Sequence, residues 1–409
     1  MNTMKRDYFW NTLGVFIQNA ISPLLLIVVT RVNGIDDSGV FSFAFSVAVV
    51  FWAIAMWGGR TYQVSDVSNK FMRQSYVLMR LLLSFTVLIL ALLFCLANGY
   101  NYEKTAILMS LVVVRVLEGL SDVYYGVMQS EDKLYVSGKI MFVKYILAFL
   151  VFAAVDFFTQ NVLLSTAYFV AVMGIFLLFI DVPMAKRIDP SITAKLFTRN
   201  LTKQALSIIK ILTPVFVVSF FAMLALNIPR YFVDLHHESE IGYFGILVMP
   251  VTLIVLMMTL ILQPNVMQLS RLLKQKDIRL FNKQVFKICG VTLSAGVLIL
   301  GLTAIIGVPA LEIVFGIDFQ KYYIILVVVV VAAIINALVS VLMNILVIMR
   351  VFQPQVFVLV LTNISLLVAS ALLIPEGGVI TAVVLFMAVN LIQLVLLGII
   401  YGKAISREK

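Results

Sequence analysis

Three charged side chains and one amide share a face of an otherwise apolar segment in the first half of the chain. Arg115, Glu118, Asp122 and Gln129 are spaced by three, four and seven residues, which at about 100° per residue places them on one helical stripe roughly 60° wide. A guanidinium there can bind an anion, and a carboxylate can exchange a proton. Arg115 lies about ten residues into the segment, or about 15 Å deep if the segment crosses a membrane. A charge at that depth costs at least ~2.5 kcal/mol, so the stripe must face protein or water.

Two interpretations of this stripe remain open from the sequence. In the first, Arg115 and Glu118 neutralise each other at i, i+3. The next apolar segment then returns Lys144 to the depth of Asp122, with Lys139 nearer the surface, and an Asp122–Lys144 bridge completes a structural network. In the second, the same side chains line a water-filled cavity and bind a ligand.

The composition defines the class of protein. Of 409 residues, 62% are apolar and 12% charged, and the mean hydropathy is +1.08. Apolar runs of membrane-spanning length recur throughout, which predicts an all-α polytopic membrane protein. Cys95 and Cys289 lie in separate apolar runs and are predicted to be packing residues, while His236 and His237 fall in a predicted solvated loop. No metal-ligand spacing, phosphate-binding loop or long outer loop is present, so we predict neither a metal site nor an enzyme.

The pattern predicts twelve transmembrane helices, at 12–32, 39–59, 76–97, 105–129, 137–157, 161–181, 210–233, 243–265, 286–307, 321–348, 355–374 and 379–402. With this layout 25 Lys and Arg residues fall on one side and four on the other, with Arg115 between them. The positive-inside rule therefore places both termini in the cytoplasm. The net charge of +10 then faces anionic membrane lipid, and no nucleic-acid partner is predicted.

The longest cytoplasmic connection, 185–209, separates six spans in 1–184 from six in 210–409. It alternates basic and apolar residues, which predicts either an interfacial helix or a solvated basic linker. Residues 30–46 and 229–249 echo each other: each has an arginine, an acidic loop and then a glycine-led aromatic segment. Six spans per repeat give both repeats the same orientation. We therefore predict two parallel six-helix lobes around a central cavity.

Uncharged polar residues mark two further spans. Gln18 and Asn19 in the first span suit either sugar hydroxyls or interhelical hydrogen bonds. Asn336, Ser340 and Asn344 form an i, i+4, i+8 stripe in the tenth, for which interhelical hydrogen bonding is the favoured interpretation. The second half is therefore predicted to be polar but nearly free of charge within the membrane.

Four features carry a resemblance to a known family: the six-plus-six layout, an opening span with Asn11, Gln18, Asn19 and Pro23, the Gly39-Val40-Phe41 segment that opens the second span, and the Arg-x-x-Glu-x-x-x-Asp-x-Tyr-Tyr-Gly-x-x-Gln motif from Arg115 to Gln129. In these the chain resembles the Wzx-type O-antigen and capsule repeat-unit flippases. They belong to the multidrug/oligosaccharidyl-lipid/polysaccharide exporter (MOP) superfamily. The resemblance implies a V-shaped pair of lobes in the bacterial cytoplasmic membrane. It also implies alternating access that moves an undecaprenyl-pyrophosphate-linked oligosaccharide to the outer leaflet, beside a polysaccharide polymerase or other assembly machinery.

Such a cargo needs cations to replace the water around its pyrophosphate. The candidate cavity residues are Arg115, Glu118, Asp122, Lys139, Lys144, Arg31, Arg60, Gln18 and Asn19. The alternative is a cation-coupled multidrug exporter of the same superfamily, whose cavity should be net acidic. No cofactor is predicted. A proton or sodium ion bound at Asp122 or Glu118, or the membrane potential, remain as alternative driving forces.

Overall fold

A computed structural model describes residues 3–66 and 70–408, whose regular secondary structure is helical, with no β-strand among them. The chain folds into two compact units, Met1–Phe220 and Phe221–Lys409. The first unit contains α1 Thr3–Asn33, α2 Ile35–Met56, α3 Gly59–Ser65, α4 Arg73–Ala97, α5 Tyr102–Ser130, α6 Leu134–Thr159, α7 Val162–Phe176, a π-helical turn Leu177–Asp181 and α8 Val182–Ile188. The helix α9 Arg199–His236 runs from the first unit into the second. The second unit continues with α10 Ile241–Leu247, α11 Met249–Lys274, α12 Ile278–Phe315, α13 Tyr323–Ile348 and α14 Gln353–Glu408.

Nine helices of the described residues are long and apolar enough to cross a membrane. The helices α5 and α11 are also long enough, and α5 falls outside that group because Arg115, Glu118 and Asp122 interrupt its apolar run. Within α14, Gly378 has φ +58° and separates two helices. The described part of the chain therefore contains twelve spans, six before the 189–198 connection and six after it. This confirms the prediction of an all-α, multi-pass membrane protein with twelve transmembrane helices.

The break in α14 follows from its local sequence. A left-handed backbone is strained for residues with a side chain, and glycine adopts it freely. Pro375, three residues earlier, also removes a backbone donor from the helix. Close to the break, the carbonyl of Ile374 accepts a hydrogen bond from Nε2 of His237, at 3.0 Å. The prediction that His237 is simply solvated is therefore wrong, because it bonds to a helix end.

In the first unit α5 packs against α2, α4 and α7, while α1 lies along α6. Small residues allow that close approach, since a side chain at Gly138 would come within 2.4 Å of the Trp10 backbone carbonyl. The side chain of Asn101 begins α5 by accepting a hydrogen bond from the Lys104 amide at 2.8 Å. The central position of α5 places its polar stripe inside the first unit.

The predicted linker 185–209 contains three kinds of structure. The helix α8 ends at Ile188, residues 190–195 form turns, and α9 begins at Arg199. The first turns of α9 bury Leu201, Ala205 and Ile208 in a core shared with residues of α4 and α5. Residues 199–209 therefore form the first turns of the seventh span and do not form a separate interfacial helix. Their apolar face packs against α4 and α5.

Candidate functional site

The stripe predicted on α5 is buried in the first unit. Arg115, Glu118 and Asp122 are 8%, 5% and 8% exposed. Each of them contacts side chains from other helices. We use the name α5 ion network for these three residues and their charged partners, which are Arg60, Arg80, Lys144 and Asp181. Lys144 and Asp181 are included because each of them forms a hydrogen bond with Ser121 of α5.

Arg115 and Glu118 form a compensated pair. Nη1 of Arg115 lies 2.7 Å from Oε2 of Glu118, and Tyr145 of α6 donates its hydroxyl to Oε1 of the same carboxylate at 2.7 Å. The Arg115 guanidinium lies over the ring of Phe45, 4.5 Å from its centroid. A neutral pair enclosed by aromatic rings favours a structural role for Arg115.

Asp122 is shared by two arginines from different helices. Nη2 of Arg80 lies 2.9 Å from Oδ2, and Nη1 of Arg60 lies 3.3 Å from Oδ1. Arg80 also donates to the carbonyl of Ala55 at 2.8 Å and to that of Met56, where α2 ends. Two guanidiniums on one carboxylate leave one positive charge in excess at this point of the network.

Arg60 is the accessible member of this trio. Its side chain is 21% exposed, whereas that of Arg80 is 1% exposed. Arg60 lies in the short helix α3. This helix follows Trp57 and Gly58, whose left-handed backbone turns the chain at the end of α2. Nε of Arg60 donates to Oε1 of Gln129 at 3.1 Å. Of the two arginines on Asp122, Arg60 is therefore the one that solvent reaches.

Lys144 has a different partner from the one predicted. Its Nζ lies 3.1 Å from Oδ2 of Asp181, and Ser121 donates to the same oxygen at 2.6 Å. The side chains of Lys144 and Asp181 are 1% and 0% exposed. The predicted Asp122–Lys144 bridge is wrong because Arg80 occupies Asp122 and the π-helical turn after α7 brings Asp181 to Lys144.

The other predicted cavity residues lie outside the α5 ion network. Arg31 and Lys139 are exposed, and Lys139 lies 5.1 Å from the Trp10 ring centroid. Gln18 is half-buried, while Asn19 is exposed and donates to the Val15 carbonyl of its own helix at 2.7 Å. Their roles as cargo contacts stay predictions, as do those of the residues inside the network.

Sequence reasoning missed Arg80, Asp181 and Asp156 as site residues. Asp156 is 0% exposed and accepts hydrogen bonds from Asn33 at 2.7 Å and Ser165 at 2.9 Å, which joins α1, α6 and α7. The available signal was a lone acidic residue near the end of an apolar span. Such a residue needs a buried partner, just as the stripe on α5 does.

The second unit has an uncharged counterpart of the α5 ion network. Nδ2 of Asn336 on α13 donates to Oδ1 of Asn390 on α14 at 2.8 Å, which confirms the predicted interhelical hydrogen bond. Gln393 donates to the Thr362 hydroxyl at 2.8 Å, across the break in α14. Asn344, by contrast, donates to the Ser340 carbonyl within its own helix at 2.7 Å. In these described contacts between helices the polar partners are amides and a hydroxyl.

Comparison with known proteins identifies the fold. No protein-family model matches the chain. It is 22% identical over 320 residues to the capsular polysaccharide biosynthesis protein CapF of Staphylococcus aureus, covering 77% of this chain and 79% of that one. Its structure is similar to an inward-facing multidrug-resistance MATE family transporter of the MOP superfamily, with a TM-score of 0.67, 10% identity and coverage of 97% and 98% of the two chains. It is also similar to the lipid II flippase MurJ in an inward closed conformation, with a TM-score of 0.63, 13% identity and coverage of 99% and 89%.

The protein has the fold of the MOP-superfamily transporters. The resemblance to that superfamily in sequence is thus confirmed at the level of the fold. This fold is that of membrane transporters and flippases.

Proposed function

We propose that this protein is a flippase that moves an undecaprenyl-pyrophosphate-linked oligosaccharide from the cytoplasmic to the outer leaflet. The observation that carries the proposal is the excess positive charge at Asp122, where the partly exposed Arg60 and the buried Arg80 share one carboxylate. The similarity to a capsular polysaccharide biosynthesis protein and to a lipid II flippase supports a lipid-linked sugar as cargo.

Arg60 supplies the contact to the cargo. A guanidinium presents a planar fork of donors that matches the oxygens of a phosphate, and these charge-assisted hydrogen bonds replace part of the water that the pyrophosphate loses. When Arg60 turns to the cargo, Asp122 retains Arg80 at 2.9 Å, so no buried carboxylate is left unpaired. Binding therefore exchanges one ion pair for another.

The cargo moves by alternating access in the cytoplasmic membrane, with both termini of the protein in the cytoplasm and the polymerase or assembly machinery nearby. Glu118 and Asp122 are paired with arginines, so a coupling sodium ion would have to displace an arginine to bind there. The membrane potential instead supplies about 2.3 kcal/mol per charge per 100 mV for outward movement of an anion.

The test is the variant Arg60→Gln in cells that depend on this protein. A lost charge-assisted hydrogen bond is worth about 1.5–3 kcal/mol, so we expect transport to fall by about 10- to 100-fold. Lipid-linked sugar should accumulate in the cytoplasmic leaflet, measured as the fraction of the extractable pool accessible from that side. Arg60→Lys, which keeps the charge and loses the fork, should restore part of the flux.

Arg73→Gln is the matched control, because Arg73 is a 28% exposed arginine that pairs with Glu131 at the surface of the same unit. It should transport like the parent protein. Normal leaflet distribution in Arg60→Gln would contradict the proposal. Efflux of a cationic dye that depends on the protein, with unchanged lipid-linked sugar, would instead assign it to the multidrug exporters.

A further inference from the structure

A second cluster of cations lies where the beginning of α6 meets α1. The guanidinium of Arg6 stands 3.6 Å from the ring centroid of Tyr135, and Nζ of Lys139 lies 5.8 Å from the same centroid. Lys139 also lies 5.1 Å from the Trp10 ring. Two like charges thus converge on one aromatic surface. Their mutual repulsion favours an anion between them.

Neither cation has a carboxylate partner among the described ion pairs. The nearby Asp7 uses Oδ1 to accept a hydrogen bond from the backbone N–H of Tyr135 at 3.1 Å. The Nε–H of Arg6 is buried and has no acceptor among the described residues. Because buried donors are nearly always paired, this donor indicates an acceptor beyond the described residues. The cluster therefore calls for an anion with several oxygens.

An apolar stripe begins at this cluster and runs along α6. Val143, Leu147 and Leu150 follow Lys139 at offsets of four, eight and eleven residues, which places them on one helical face. They are 53%, 42% and 55% exposed. An exposed aliphatic face on a transmembrane helix is suited to lipid acyl chains. The cationic cluster lies at the end of that face.

We propose that Arg6 and Lys139 bind the phosphate of an anionic phospholipid of the inner leaflet, with an acyl chain along the α6 stripe. The positive-inside rule indicates which leaflet the lipid occupies. It places Arg6 and Lys139 in the cytoplasmic half of the membrane, so the lipid belongs to the inner leaflet. Trp10 and Tyr135 are the aromatic residues expected at that depth. The site is separate from the α5 ion network and does not depend on the cargo proposed for it.

The experiment measures lipid binding to the full-length protein by native mass spectrometry. The probes are phosphatidylglycerol and phosphatidylcholine with identical acyl chains. The parent protein should prefer phosphatidylglycerol by on the order of 25-fold, because each of the two cations that converge on one phosphate contributes about fivefold. The double variant Arg6→Gln/Lys139→Gln should lose most of that preference, whereas Arg6→Lys/Lys139→Arg should keep it.

The control Lys274→Gln/Lys403→Gln removes the same charge from two other exposed sites and should bind like the parent protein. Size-exclusion elution and thermal unfolding verify that each variant is folded. Equal preference in the parent and the Arg6→Gln/Lys139→Gln variant would overturn the proposal. So would displacement of phosphatidylglycerol by equimolar undecaprenyl phosphate, which would make the cluster a binding site for the cargo lipid. Transport by the Arg6→Gln/Lys139→Gln variant reports separately on the proposed function.

Discussion

The two units join their helices with different chemistry. Among the described residues, eight charged side chains are buried in the first unit, and one, Asp234, is buried in the second. The first unit pairs ions such as Arg80 with Asp122, while the second pairs amides such as Asn336 with Asn390. Helix packing by itself needs only neutral hydrogen bonds. The first unit therefore buries more charge than helix packing alone requires.

The difference also predicts how each unit tolerates substitution. A buried ion that loses its partner remains as an uncompensated charge, at a cost of several kcal/mol. An amide that loses its partner leaves a neutral dipole, and interhelical hydrogen bonds in membranes contribute about 0.6 kcal/mol on average. Substitutions of buried polar residues should therefore lower the free energy of unfolding by more in the first unit than in the second.

The largest effect is expected for Asp122→Ala. This substitution leaves Arg80, which is 1% exposed, without its carboxylate and removes the partner of Arg60. We expect the free energy of unfolding to fall by about 3–5 kcal/mol, measured by thermal unfolding of the purified protein. Glu131→Gln breaks an ion pair between partly exposed side chains and should cost less than about 1 kcal/mol. Similar losses in the two variants would remove the distinction between buried and surface ions.

The next effect concerns the buried pair Lys144–Asp181. Lys144→Met leaves Asp181, at 0% exposure, without a cation and should cost about 3 kcal/mol or more. The double variant Lys144→Met/Asp181→Leu removes both charges and should be more stable than Lys144→Met alone. A double-mutant cycle by thermal unfolding measures this coupling. Strictly additive losses would mean that the 3.1 Å contact carries no interaction energy.

The smallest effect is expected in the second unit. Asn336→Ala removes the amide that donates to Asn390 at 2.8 Å. The free energy of unfolding should fall by about 0.6 kcal/mol. Transport should be retained, as measured by the leaflet distribution of lipid-linked sugar. If Asn336→Ala destabilised the protein as much as Asp122→Ala does, the contrast between the two units would be lost.

The sequence by itself determined the class and the layout of this protein. Twelve spans could be predicted because each one depends on a local property, an apolar run of sufficient length, and the stripe on α5 could be predicted because helical spacing is also local. The burial of Arg115, Glu118 and Asp122 then followed from the cost of a charge in lipid. The small number of buried charges among the described residues of the second unit could be predicted in the same way.

Only the tertiary structure decided which charge pairs with which. Asp122 binds Arg80 of α4 and Arg60 of α3, and Lys144 binds Asp181. These choices depend on how far each helix is rotated about its axis and on a π-helical turn that shifts Asp181 by part of a turn. Sequence spacing determines which face of a helix carries a side chain, but packing between helices determines what that face meets. From the sequence alone Arg80 is therefore predicted to be one of the cytoplasmic surface cations. Its burial results from the packing of α4 against α2 and α5.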